Sequence, residues 1–311
     1  MTRQWRISLL LGVAIAISII ISACGGSGTG SGGSTPTTGS GTSTGSSNCV
    51  QGSITAAGST ALQPLVQAVA QKYEAQCSGA NITVQGGGSK TGLGEVEAGS
   101  IQIGDSDVFA ASNQSDLVDH QVAVVTFVLD INPDVTGVTS LTSQQILGIY
   151  TGQITNWNQV GGPNLPIVVV SRPVTSGTRA TFKQYILNGT AESPAKSTNL
   201  TADSSQLVLQ TVEQTSGAIG YTTLGDSENQ GSKVVILNID GNAPTPANVE
   251  NNTYKFWNIE HMYTKGQPSG LTASFLTYMG SSDAETAASQ LKFLLLNQMS
   301  QPAIQAHQPS S

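Results

Sequence analysis

Two arginines, several hydroxyl side chains and a glycine crowd the twelve residues SRPVTSGTRATF, from Ser171 to Phe182, in a chain where only 10% of residues are charged. Arg172 can present a planar fork of donors to an oxyanion. Ser176, Gly177 and Thr178, at the expected start of a helix, can add hydroxyls and free backbone amides. Two more stretches carry similar ingredients. In AAGSTALQP, Ser59 and Thr60 follow Gly58 where a strand gives way to a helix, with Pro64 in its first turn. Ser or Thr at such a point is commonly a cap, which accounts for either residue taken singly. In QGGGSKTGLGE, Ser89 follows three glycines. A Walker loop needs a glycine directly before its lysine, and here Ser89 precedes Lys90, so a nucleotide site is rejected. A tight turn is the plain alternative there. A fourth stretch, IQIGDSDVFA, ends a strand with Asp105 and Asp107. Asp105 reads as a turn former, whereas Asp107 matters if it faces the same cleft.

The elements that must hold these residues follow from the apolar pattern. Strands are expected in SITAAG, NITVQGGG, VAVVTFVLDI, LPIVVVSR, GAIGYTTL and KVVILNI. Leu62, Leu65, Val66, Val69 and Tyr73 recur at helical spacing, and TSQQILGIYTG and TRATFKQYIL also read as helices. A final helix is expected over Asp283–Met299. Strands alternating with helices imply an α/β fold. Three separate strand-to-helix junctions, each with Ser or Thr at the helix start, exceed what capping explains. Together they read as an oxyanion cradle at the carboxyl ends of strands, where open α/β sheets bind ligands. Trp157 and Trp257 are read as core anchors, and Tyr254, Phe256 and Tyr263 as packing the return of the chain.

Composition narrows the ligand. The formal charge of −7 over 311 residues opposes a nucleic-acid partner, which calls for a broad basic surface. Any anion site must therefore be local. Three histidines and three cysteines are little material for a metal centre, and neither a metal nor a cofactor is expected.

The first 24 residues read as a secretory leader: Arg3 and Arg6, an apolar run from Ile7 to Ile21, then ISAC. Ile21-Ser22-Ala23-Cys24 looks like a bacterial lipobox. Lipidation of Cys24 would place the protein at the cell membrane, lipid-anchored on the extracytoplasmic face. A retained spanning anchor is the alternative, though the run falls short of the ~20 residues a spanning helix needs. Residues 25–48, nearly all Gly, Ser and Thr, read as a flexible tether reaching about 25 Å. Cys49 and Cys77 then form an even pair, which outside the cytoplasm suggests a disulfide; two free thiols are the alternative.

The order GSTAL.P, GGGS, SD.F, ITNW, R...SGTR..F, GAIGY and HMYTKG resembles that of bacterial periplasmic-type phosphate-binding proteins, the substrate-binding subunits of ABC phosphate importers. The likeness runs through nearly all of residues 50–300. It implies two α/β lobes joined by crossing strands, with a ligand cleft between them. Lobe I is expected at 49–128 plus 222–311 and lobe II at 129–221. It further implies a protein that binds inorganic phosphate, in its mono- or dihydrogen form, and serves a permease and ATPase complex; a monomer is expected. By position, Thr60, the Ala61 amide, Ser89 and Asp107 would come from the first lobe, with Ser59 a neighbour. Arg172, Ser176, Gly177 and Thr178 would come from the second. Ala61 departs from relatives that carry an aromatic residue there, and Arg179 is expected to brace an aspartate rather than to bind.

On this reading Asp107 selects the ligand. A carboxylate beside a bound anion is tolerable only if the anion brings a proton to donate. Protonated phosphate does so and sulfate at neutral pH does not, so acceptor would face acceptor at a cost of several kcal/mol. The rival function is a secreted phosphatase or esterase using Ser59, Ser89 or Ser176, which needs a base beside its nucleophile. His120, His261 and His307 stand beside no recognisable acid motif, and His307 reads as part of a frayed tail. A phosphate sensor or adhesin without transport would share the same site.

Overall fold

The computed structural model describes residues 49–194 and 198–308. The leader, Cys24 and the tether lie outside the described residues. From the start of the body the chain runs β1 (Gly52–Gly58), α1 (Gln63–Gln76), β2 (Ala80–Gln85), α2 (Ser89–Glu97) and β3 (Ile103–Ser106). The long strand β4 (Leu117–Ile131) follows, then β5 (Ser140–Leu141), α3 (Ser143–Tyr150), β6 (Val168–Ser171) and α4 (Gly177–Tyr185). Next come β7 (Asn199–Thr201), α5 (Ser205–Gln214), β8 (Ala218–Thr223), α6 (Leu224–Gln230), β9 (Val235–Ile239) and α7 (Pro246–Glu250). The chain closes with β10 (Trp257–Lys265), α8 (Gly270–Tyr278), α9 (Ser282–Gln290) and α10 (Gln301–Ala306).

The strands order as β2-β1-β3-β10-β4-β8-β6-β7, with β9 beside β4 and β5 beside β9. Each wing is parallel: β2, β1 and β3 on one side, β8, β6 and β7 on the other. β4 serves both. Its Leu117–Thr126 portion pairs antiparallel with β10, and Phe127–Ile131 pairs antiparallel with β8. β9 pairs with Leu129–Ile131, on the same half as β8. The expected α/β architecture with crossing strands is therefore present. The carboxyl ends of β1, β2 and β3 open toward the first wing's helix starts, and those of β6 and β7 toward the second's.

The core continues across both halves. Phe182 on α4 stacks on Tyr221 of β8 at 4.5 Å and meets Tyr150 at 4.7 Å and Phe256 at 5.2 Å. Offset and edge contacts of this kind stabilise beyond simple burial. They fix the helix that carries Ser176–Thr178 at its start. Trp157 and Trp257 are fully buried, and Trp157 Nε1 donates to the Gly217 carbonyl at 2.9 Å. Cys49 and Cys77 are joined in a disulfide, with Cα atoms 5.1 Å apart, which ties the first residues of the body to the end of α1.

Two expectations at the carboxyl end are corrected. The helix expected over Asp283–Met299 ends at Gln290. Lys292 turns to φ +64°, and Leu294 then exchanges backbone hydrogen bonds with Val124 at 2.8 and 2.9 Å. Leu294 thus bridges to β4 instead of continuing the helix, and a 3-10 turn follows at Leu296–Gln298. His307, expected in a frayed tail, is buried between the rings of Trp257 and Tyr185, at 3.6 and 3.9 Å. Burial lowers its pKa to about 3, so the ring is neutral.

Candidate functional site

The three junctions read as a cradle converge. After β1, Gly58 takes φ +140°, and a Cβ there would overlap the Asp105 carbonyl. Ser59 N–H instead donates to that carbonyl at 2.8 Å, seating the β1 junction on β3. Ser59 Oγ accepts from the amides of Ala61 and Leu62 at 3.1 and 3.0 Å. It therefore closes the turn that leads into α1, and the Ala61 amide expected for the ligand is engaged by Ser59. The hydroxyl of Ser59 also opposes the upward pKa shift of the Asp107 carboxyl. After β2, Ser89 opens α2, and its Oγ accepts from the Asp107 amide at 3.0 Å.

The second wing meets this set directly. Arg172, just past β6, is buried to 1% exposure. Its Nη2 donates to Thr60 Oγ1 at 2.9 Å and to the Asp203 carbonyl at 3.2 Å. Thr178 Oγ1 donates to Asp107 Oδ2 at 2.8 Å. Ser176 Oγ caps α4 by accepting from the Arg179 amide at 3.2 Å. Gly177 packs so closely that a Cβ would overlap Ser89 Oγ and lie 2.9 Å from the Asp107 Cβ. All nine residues expected at the site thus lie in one contact network drawn from both halves of the sheet.

Two polar groups in that network face inward without partners. Asp107 Oδ1 and the Arg172 Nε and Nη1 atoms are buried and make no hydrogen bond. Buried groups of this kind are normally satisfied. Burial pushes the Asp107 carboxyl above its ordinary value, opposed by hydrogen bonds from Ser59, Thr178 and Ser89 and by the Arg172 charge. Burial likewise pulls the Arg172 guanidinium down, while Asp107 holds it up. A donor fork beside a buried carboxylate suits a tetrahedral oxyanion that carries its own proton.

Several contributors were missed from sequence. Tyr221 Oη accepts from the Arg172 amide at 3.4 Å and donates to Glu192 Oε1 at 2.7 Å. Arg179 Nη1 donates to the Arg172 carbonyl at 2.6 Å, and its Nε lies 3.5 Å from Glu192 Oε2. Arg179 therefore braces Arg172 and Glu192, not an aspartate. Asp203 and Ser205 join through the start of α5, with Ser205 Oγ 3.4 Å from Thr60 Oγ1. The signal was there in ADSSQ, another hydroxyl-rich helix start, but the three-residue β7 before it carries no apolar run. Asp105, read as a turn former, lies inside β3 opposite Met262 with both carboxylate oxygens buried. Burial, reinforced by the Asp107 charge, raises its pKa to about 8. His261 does pair with an acid, Asp119, at 2.8 Å. It packs on Phe109, and its Nε2 meets no serine among the described residues.

Residues 41–283 match the PBP superfamily domain family. The phosphate-binding protein PstS of Bacillus subtilis (strain 168) is 42% identical over 281 residues, covering 89% of each chain. The PstS of Borreliella burgdorferi is 23% identical over 249 residues, 78% of this chain and 89% of that one. Among solved structures, one from Clostridium perfringens is described as a phosphate ABC transporter substrate-binding protein with bound phosphate. It superposes with a TM-score of 0.71 at 26% identity, covering 79% of this chain and 100% of its own. An ABC-type phosphate transport receptor from Vibrio cholerae gives 0.64 at 26% identity, with 78% and 99% covered. With the two-winged sheet, the converging helix starts and a close relative over most of its length, this chain belongs to the phosphate-binding family of periplasmic-type substrate-binding proteins.

Proposed function

We propose that the protein captures inorganic phosphate between its two lobes and delivers it to the permease and ATPase of an ABC importer, as a binding protein and not an enzyme. The observation that carries this reading is the pairing of opposites in one cradle: an acceptor at Asp107 Oδ1 and donors at Arg172 Nε and Nη1, all buried and unpartnered. Monohydrogen or dihydrogen phosphate satisfies both, donating to the carboxylate and accepting from the guanidinium. Thr60, Ser89, Ser176 and Thr178 add hydroxyls, Gly177 admits the close approach, and Ser59 orients the first helix start and Asp107.

In this reading lobe I takes 49–128 plus 222–311 and lobe II 129–221. The switch of β4 from β10 to β8 at Thr126–Phe127 supports the first boundary, and the pairing of β9 with Leu129–Ile131 supports a second boundary later than residue 222. The protein works outside the cytoplasm, held to the membrane through a lipid on Cys24, with residues 25–48 as its tether. Globomycin treatment of producing cells tests the anchor: accumulation of an unprocessed precursor supports it, and unchanged processing overturns it. Phosphate binding by the purified protein, read by titration calorimetry, tests the capture itself. Absence of heat with phosphate at neutral pH would overturn it.

A further inference from the structure

Asn258 on β10 stands one residue past the return of the chain from the far half. It is buried, and each of its polar side-chain atoms is used. Nδ2 donates to the Asp107 carbonyl at 2.7 Å and to Thr181 Oγ1 on α4 at 3.2 Å. Oδ1 accepts from the Ile259 amide at 3.0 Å, which fixes the orientation of the side chain.

Thr181 lies three residues beyond Thr178, so both hydroxyls share one face of α4. Thr178 reaches the Asp107 carboxylate while Thr181 reaches Asn258, which grips the Asp107 carbonyl. Asp107 is thereby held at its amide by Ser89, at its carbonyl by Asn258 and at its carboxylate by Thr178. Of the three, only Asn258 bonds both to Asp107 and to the helix from the opposite half. A cavity of about 390 Å³, lined in part by Val108, Thr181, Asn258 and His307, lies behind this contact. It has room for water beside the Thr181 hydroxyl.

We propose that Asn258 is a positioning residue for ligand capture, a latch that ties the aim of Asp107 to the docked position of α4. It does not touch phosphate; it acts through Asp107 and the start of α4, and so rests on the phosphate reading above. A latch made in the closed form slows release and leaves encounter unchanged, because affinity changes of this kind fall mainly in koff.

Stopped-flow phosphate binding and release by the full-length protein tests this with Asn258→Ala, Thr181→Val and the double variant. Losing the hydrogen bonds of Asn258 should raise koff about fivefold to tenfold while kon stays within about twofold. Thr181→Val should raise koff less, and the double variant should release no faster than Asn258→Ala, since the bond they share is already gone. An unchanged koff in Asn258→Ala, or effects that multiply in the double variant, overturns the latch. If Asn258→Ala does not fold, Thr181→Val decides, and an unaltered koff there is also fatal. Wild-type protein that fails to bind phosphate sinks the site reading and the latch together. Wild-type binding with unchanged release in the variants sinks the latch alone.

Discussion

At Asp107, selection and protonation are one question. Its carboxyl is buried to 1% exposure and raised above its ordinary value by that burial. On the proposed reading, a ligand that brings a proton satisfies it, whereas sulfate would bind only with Asp107 protonated. Sulfate should therefore gain on phosphate as pH falls, and competition measured from pH 8 down to pH 5 should show the gap narrowing. Asp107→Asn offers a donor in place of the acceptor and should reduce the preference for phosphate at pH 8 by at least about a hundredfold, given how strongly buried hydrogen-bonding sites reject unmatched analogues. Asp105, two residues back, carries a different liability. Its folded pKa is raised to about 8, so the folded chain keeps a proton that the unfolded chain loses above about pH 4. Its contribution therefore falls as pH rises between those values and stays low above them. Asp105→Asn should raise Tm more at pH 8 than at pH 5, by about 2–4 °C for each kcal/mol regained. A larger gain at pH 5 would reverse the assigned sign.

Among the elements, the helix starts do the positioning. α4 begins against Ser89 and Asp107 with no room for a side chain at Gly177. Gly177→Ala should weaken phosphate binding about tenfold to a hundredfold, the 1–3 kcal/mol typical of overpacking, as read by calorimetry. The junctions after β1, β2, β3 and β6 were legible because each combines an apolar strand with glycine, hydroxyl or charged residues directly after it. The start of α5 was not, because β7 is three exposed residues and nothing in ADSSQ separates a cap from a site. The part of Tyr221 and Glu192 in the clamp around Arg172 was hidden for another reason: both lie well beyond the motif that carries Arg172 and Arg179 and meet it only through the second wing. β10 escaped detection because WNIEHMYTK mixes apolar and charged residues, yet the strand is central and buried along nearly its whole length. Glu260 and His261 are tolerated there on opposite faces, and burial pushes Glu260 well above its ordinary value. The overlong final helix has a similar lesson. Helical spacing through Leu291–Leu296 was real, but the backbone groups of Val124 won Leu294 for β4.

On the scale of the whole body, ligand and lobe contact favour each other. Arg172 reaches Thr60, and Thr178 reaches Asp107, across the two halves. On the proposed reading, phosphate would add bonds to both sides and shift the population toward the state in which they meet. Small-angle scattering should show a smaller radius of gyration with phosphate than without; superimposable curves would count against closure. The Cys49–Cys77 disulfide closes a loop with a sequence separation of 28, and replacing both residues by serine should cost about 3–4 kcal/mol in denaturant unfolding. The central claim is narrower: one buried carboxylate requires its anion to arrive with a hydrogen. Titration calorimetry at pH 8 with phosphate and then sulfate tests it most directly. A saturable heat is expected with phosphate and none with sulfate at the same concentrations. Comparable binding of both anions by the wild-type protein would contradict it.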